Sequence, residues 1–223
     1  MKSKAEKWDD GCKADEVRNL FVIPRLISLV NEFRPTRILD VDTGTGYIVR
    51  SVDASVSVAL DWTLIDIDAE RIKFLESVMP KSVKFEASTI DFTKSGVKKP
   101  PFDLVLLLFT LLELKLDLGL FSKLNQLVGV NGVVVITMPD SLEDVLKAAV
   151  TKQTLLEDFL EGRCVLDKVD KFTKEVYPFI AHRFEYIIQL MLHSKFSLIR
   201  MYSDRVGDKE TFMLVFRKNG DLR

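Results

Sequence analysis

Asp40, Asp42, Gly44 and Gly46 stand close together in the run Arg37-Ile38-Leu39-Asp40-Val41-Asp42-Thr43-Gly44-Thr45-Gly46-Tyr47. Glycines lack a Cβ and let a ligand approach the main chain, and the start of a helix presents unpaired N–H groups. Such a turn holds an anionic or polar ligand, and an acidic side chain at the adjoining strand end adds hydrogen bonds. Further on, Asp66 stands near the end of a second apolar run, Trp62-Thr63-Leu64-Ile65-Asp66-Ile67-Asp68. It lies about 20 residues beyond the glycines, where an open parallel sheet holds ribose hydroxyls, the two carboxylate oxygens accepting from the 2′ and 3′ groups.

Apolar spacing supplies the elements that must position these groups. Ile38-Leu39 ends a buried strand and Tyr47-Ile48-Val49-Arg50 opens a helical pattern, so the glycines join strand to helix. Ahead of them, Val17, Leu20, Phe21, Ile23, Leu26, Ile27 and Val30 form an amphipathic helical pattern interrupted at Pro24 and stopped by Pro35. Residues 1 to 14 read as a polar segment, mobile or ordered by a ligand. Asp68 caps a helix carrying Ile72, Leu75 and Val78. A third strand is expected from Ser82 to Glu86, running into Ala87-Ser88-Thr89-Ile90-Asp91, whose small polar residues suit the flank of an adenine ring. Asp91 reads equally as a loop or capping acid. Pro101 to Phe109 is apolar without alternation, the pattern of a central parallel strand buried on both faces.

A helix of Leu120, Phe121, Leu124, Leu127 and Val128 follows, then a turn at Val130-Asn131-Gly132 and a fifth strand from Val133 to Thr137. Residues 141 to 195 read as mostly helical, broken near Gly162 and at Pro178, and long enough to cap the strand ends. Two closing strands, Phe196 to Tyr202 and Thr211 to Phe216, pair antiparallel because the loop between them is short. Alternating strands and helices predict a right-handed, doubly wound α/β sheet.

The glycine run is not the dinucleotide fingerprint, since Val49 stands where that pattern needs glycine. It resembles the first motif of the class I, Rossmann-like S-adenosylmethionine-dependent methyltransferases: Asp40 as the acidic residue, then Gly44 and Gly46, with Asp42 in place of the first of three usual glycines. Phe102-Asp103-Leu104-Val105 resembles that family's opening of its fourth strand, and Thr110-Leu111-Leu112-Glu113-Leu114 its segment lining the reaction centre, though Leu107 and Leu108 are more apolar than usual there. The likeness covers residues 36 to 140 by motif and 196 to 217 by pattern.

It implies one domain over residues 1–223, with a mostly parallel seven-stranded sheet, an antiparallel C-terminal strand pair, an N-terminal helical segment over 1–34 and a helical cap inserted at 141–194. It also implies S-adenosylmethionine as cofactor, held by Asp40, Asp42, Thr43, Gly44, Gly46, Asp66, Ile67, Ser88, Thr89 and Leu107, and a small-molecule methyl acceptor. In similar enzymes the N-terminal segment, here with Trp8, Arg18 and Arg25, folds over the cofactor, so Arg18 can meet its carboxylate; surface ion pairing is the other reading. A carboxylate at Asp42 either faces the pocket, attracting an ammonium and repelling a carboxylate, or turns to solvent.

Methyl transfer asks mainly for alignment and exclusion of water, and for a base only when the nucleophile arrives protonated. Glu113, Tyr177, His182 and His193 are the base candidates, and no catalytic residue is assigned among them. On a continuous helix the two histidines would lie about 16 Å apart, too far to share a metal. Two rivals stand beside this reading: a degenerate binding or scaffold protein on the same fold, and another nucleotide-dependent enzyme such as an aminopropyltransferase-like protein or a dehydrogenase.

Composition narrows the field. Thirty-two Lys and Arg against 33 Asp and Glu leave a net charge of −1, so no whole-protein basic field argues for nucleic acid or an anionic membrane. The 47% hydrophobic content is ordinary for a soluble protein, and no apolar run reaches membrane-spanning length. Cys12 and Cys164 lack metal-ligand spacing and read as reduced thiols, which with a polar N-terminus predicts a cytoplasmic protein.

Overall fold

The computed structural model describes residues 2–94, 97, 101–114, 116–149, 154–161, 164–169, 176–207 and 209–220. The N-terminal segment comprises α1 (Lys4–Ala14), a π-helical turn (Val17–Val22) and α2 (Ile23–Phe33). Then come β1 (Arg37–Val41), α3 (Tyr47–Asp53), β2 (Asp61–Asp66), α4 (Ala69–Val78), β3 (Lys84–Thr89) and β4 (Phe102–Leu108). A 3-10 turn (Thr110–Glu113) leads to α5 (Leu118–Leu127) and β5 (Val128–Pro139). The C-terminal part holds α6 (Leu142–Ala149), α7 (Thr154–Leu160), β6 (Val165–Val169), β7 (Val176–Ile180), α8 (Phe184–His193), β8 (Phe196–Val206) and β9 (Lys209–Lys218).

Seven strands form one sheet in the order β3-β2-β1-β4-β5-β9-β8, parallel from β3 to β5, with β9 antiparallel to both β5 and β8. The continuous apolar runs of β1 and β4 put them at its centre, where Leu39, Val105 and Leu107 face one buried layer and Ile38, Leu104 and Leu106 the other. Strand order reverses between β1 and β4, and in a doubly wound sheet the crevice at the carboxyl ends of such strands is the ligand site.

Four expectations need correction. Residues 1 to 14 are not a loose segment: Ser3 and Glu6 form a reciprocal capping box that starts α1, and both are readable in the sequence. The third strand is Lys84–Thr89, so Ser88 and Thr89 lie in it rather than beyond it. Val130-Asn131-Gly132 is not a separate turn but an irregular stretch of β5, with Asn131 at φ 62° and the pairing to β4 shifting between Phe102 and Leu104. The insertion is not wholly helical either: β6 and β7 form an antiparallel pair, with Pro178 in a strand rather than at a helix break. A two-stranded sheet is all edge, so the N–H that proline lacks need not leave a ladder bond unmade.

Candidate functional site at the β1–β4 crevice

The turn after β1 is left-handed at three residues, Asp42 (φ 62°), Gly44 (φ 59°) and Gly46 (φ 72°). Its two glycines serve different ends. A Cβ on Gly46 would lie 3.0 Å from Leu75 of α4, so that glycine lets the helix pack. A Cβ on Gly44 would instead meet Trp8 Nε1 at 3.3 Å, so Gly44 is the one that opens toward the N-terminal helix. Asp42 occupies the position of the missing family glycine because Asp tolerates a left-handed backbone better than most residues. Its carboxylate lies 3.9 Å from Nη1 of Arg71 on α4, the same guanidinium that approaches Asp66.

The turn closes on itself and on β2. Thr43 N donates to Ile65 O (3.0 Å) and Gly46 N to Thr43 O (3.1 Å). Asp66, at the end of β2, accepts from Gly44 N (2.8 Å) through one carboxylate oxygen and from Asp68 N (2.8 Å) through the other. Asp66 is therefore buried and ties the two strand ends together. Each of its oxygens keeps a lone pair for a further donor. Arg71 Nη1 stands 3.9 Å away from it. Asp68 caps α4 through Glu70 N (2.8 Å) and Arg71 N (3.3 Å), as its position predicted.

Asp40 is buried on β1, beside Leu64 of β2 and Leu106 of β4. Burial pushes its carboxyl up to about 7; Thr43 offsets part of the rise and the neighbouring Asp66 charge adds to it. Ile67, largely exposed, follows β2, and the exposed Ser88 and Thr89 end β3, where Thr89 pairs with Asp66. Together they make an outer rim. The Leu107 side chain is fully buried in the core, so a contact from this residue to a ligand would come from its main chain.

The N-terminal segment covers this site. Arg71 lies over the Trp8 ring at 4.3 Å from its centre. Asp9 is 2% exposed and accepts from Thr45 Oγ1 (2.7 Å) and Arg50 Nη2 (2.6 Å), while its other oxygen pairs with Lys13 Nζ (2.8 Å). Burial alone would raise its carboxyl, yet these three partners hold it below the ordinary value. Tyr47 adds a bond from its hydroxyl to Asn19 Oδ1 (2.7 Å). Arg18 is paired with Asp15 and lies over the Phe109 ring, 5.2 Å from its centre, at the end of β4 where Phe109 itself has φ 65°. Arg25 turns away, to Phe21 O and Asp204.

Sequence reasoning did not find Asp9, Thr45, Arg50 or Arg71. Asp9 meets Thr45 and Arg50 across 36 and 41 residues, a distance over which no local pattern points.

Of the base candidates, His182 is buried and its Nε2 lies 2.9 Å from Leu111 O and 3.1 Å from Leu114 O. Carbonyls only accept, so Nε2 carries the hydrogen, and burial lowers the ring's pKa. The residue clips the C-terminal cap to the 3-10 turn. His193 is exposed at the end of α8, which begins only at Phe184, so the two histidines do not share a helix. The side chains of Glu113 and Tyr177 lie outside the described residues. Asp91 is a loop acid bonded to Thr93 N at 2.9 Å. Among the described residues no group of three metal-ligating side chains converges, and no helix is long and apolar enough to cross a membrane.

No protein-family model and no curated protein matches the chain. Solved structures do. Magnesium protoporphyrin IX methyltransferase from Synechocystis, with S-adenosylhomocysteine bound, superposes with TM-score 0.66 at 13% identity, over 91% of this chain and 84% of that one. The N-methyltransferase NodS from Bradyrhizobium japonicum gives 0.63 at 12%, over 92% and 99%. An S-adenosylmethionine-dependent methyltransferase from Methanosarcina mazei gives 0.62 at 16%, over 82% and 92%. With the strand order and its reversal between β1 and β4, these likenesses establish that the chain has the Rossmann-like fold of the class I S-adenosylmethionine-dependent methyltransferases.

Proposed function

We propose that this chain binds S-adenosylmethionine at the β1–β4 crevice and transfers its methyl group to a small-molecule acceptor beneath the C-terminal cap. The observation that carries this reading is the meeting of three features at the switch point: the buried Asp40, the left-handed Gly44, and Asp66 2.8 Å from the Gly44 amide. The donor set suits the cofactor. Asp66 has lone pairs left for ribose hydroxyls, Ile67, Ser88 and Thr89 form a rim for the adenine, and Arg18 offers a cation to the carboxylate.

S-adenosylmethionine brings an already activated methyl group, so the protein's share is to hold, orient and keep water out. That division of labour does not require a nucleophile–base pair in the crevice. The insertion packs against the 3-10 turn that follows β4, through Leu112 and His182, and a cover at that place favours a small acceptor over a polymer.

Calorimetry with S-adenosylmethionine and S-adenosylhomocysteine tests the proposal, with binding of both expected in the micromolar range and absence of heat at millimolar ligand in wild type and Trp8→Ala alike refuting it. A crystal structure with S-adenosylhomocysteine then gives the acceptor's size from the space beside the sulfur. One observation favours the rival scaffold reading, namely Trp8 and Arg71 standing against Gly44 and Asp66. Under that reading neither ligand binds, and removing the Trp8 ring does not restore binding.

A further inference from the structure

Trp8 and Arg71 stand against Gly44 and Asp66, the two groups to which the proposed cofactor reading assigns the nucleoside. The indole fills the side of Gly44 that the missing Cβ leaves free, at 3.3 Å from the position a Cβ would take, so no third group fits between them. Arg71 lies over that indole and 3.9 Å from Asp66, whose side chain is 0% exposed. A ribose cannot bond to Asp66 while both remain there.

What keeps them there is the residue next to Trp8. Asp9 is bonded from three directions, by Thr45 of the glycine turn, by Arg50 of α3 and by Lys13 of its own helix. The Arg50 guanidinium also donates to the Thr45 carbonyl, so one cation fastens α1 and the turn together. These contacts are polar or ionic, and beside them α1 buries only the small apolar side chains of Ala5 and Cys12. A buried charge gives up hydration in proportion to what its partners return, so such a set fixes geometry firmly while adding little net free energy. It can release at modest cost once water replaces the partners.

We infer that α1 is a latched cover on the cofactor site: Trp8 stands in for the ribose when no ligand is present, and Asp9 must leave Thr45 and Arg50 before a nucleoside can reach Asp66. This rests on the cofactor reading above. Ligand entry is then limited by opening, so the observed association rate levels off with ligand concentration instead of rising in proportion.

The test is stopped-flow association of S-adenosylhomocysteine, followed by tryptophan fluorescence. Trp8 supplies the signal, since Trp62, the second of two tryptophans, is buried and held by Asp53 at 3.0 Å. The wild-type rate should reach a plateau, and Asp9→Asn, which keeps the shape and removes the charge, should raise that plateau about tenfold, equivalent to about 1.4 kcal/mol. Calorimetry on Trp8→Ala should show tighter binding, or binding where wild type shows none. Hydrogen exchange without ligand supplies a second measure: α1 amides should exchange about tenfold faster in Asp9→Asn while β1 amides do not change.

A rate linear in ligand and equal in wild type and Asp9→Asn, or unaltered α1 exchange, overturns the latch and leaves the cofactor proposal standing. Failure of wild type and Trp8→Ala alike to bind either ligand at millimolar concentration overturns both.

Discussion

The sheet's carboxyl edge has two covers, and they are held by a different balance of forces. At the N-terminal side α1 buries only the small apolar side chains of Ala5 and Cys12 and lies on the glycine turn through Asp9, Thr45, Arg50 and Lys13, while Tyr47 reaches the π-helical turn beyond it at Asn19. At the C-terminal side the insertion has its own apolar core of Val145, Leu155, Phe159, Cys164, Leu166, Phe179 and Ala181, with Leu112 of the 3-10 turn packed against it. Apolar burial is lost outright when such a core opens, whereas polar bonds are exchanged for bonds to water at little net cost. The contrast separates a wall from a door. On the functional reading proposed above, the C-terminal cap would wall the acceptor side, and the N-terminal cover would be the part that moves.

The largest effect should come from the wall. Phe179→Ala removes a buried ring from the cap core and should cost about 3 kcal/mol or more, lowering the thermal midpoint by roughly 10 °C. Asp9→Ala, on the door, should cost about 2 kcal/mol through the partners it strands, and limited proteolysis should then cut within α1 before the sheet unfolds. If Asp9→Ala lowers the midpoint as far as Phe179→Ala, the N-terminal cover is part of the core and the contrast fails.

Asp40 sharpens the same contrast from beneath the turn. Its carboxyl, pushed up to about 7 from an ordinary 3.8, takes up a proton on folding. That contribution is complete below about pH 4 and is lost as pH rises through about 7. Asp40→Asn should remove this slope and be more stable than wild type at pH 8 by about 1 to 2 kcal/mol, read from urea melts at pH 5 and pH 8. A variant with the wild-type slope would mean that another group titrates. The smallest effect belongs to Asp42→Gly, which relieves a left-handed non-glycine backbone and should stabilise by about 0.5 to 1 kcal/mol in the same melts.

The strand–glycine–helix unit and the second strand were legible because their signals are local: continuous apolar runs, a glycine pair, and an acid at a strand end. Asp68 was readable as a cap for the same reason. The β6–β7 pair was not, since two five-residue strands bearing a proline mimic broken helix. Asp66 was legible as the acid that ends β2 but its present partners were not, because the Gly44 amide that it accepts from is brought to it only by the pairing of β1 with β2. Arg71 went unnoticed as one polar residue on a helix, since nothing local marks its approach to Asp42, Asp66 and Trp8.

The π-helical turn at Val17–Val22, where Ile23 N reaches back to Arg18 O, carries one residue more per turn than an ordinary helix. Removing one residue would let those i→i−5 bonds tighten to the i→i−4 bonds of an ordinary helix and reset the join to α1, which the extended Asp15 separates from the turn. The aim of the whole N-terminal arm is therefore set by a count of residues in a stretch that touches neither the glycines nor Asp66.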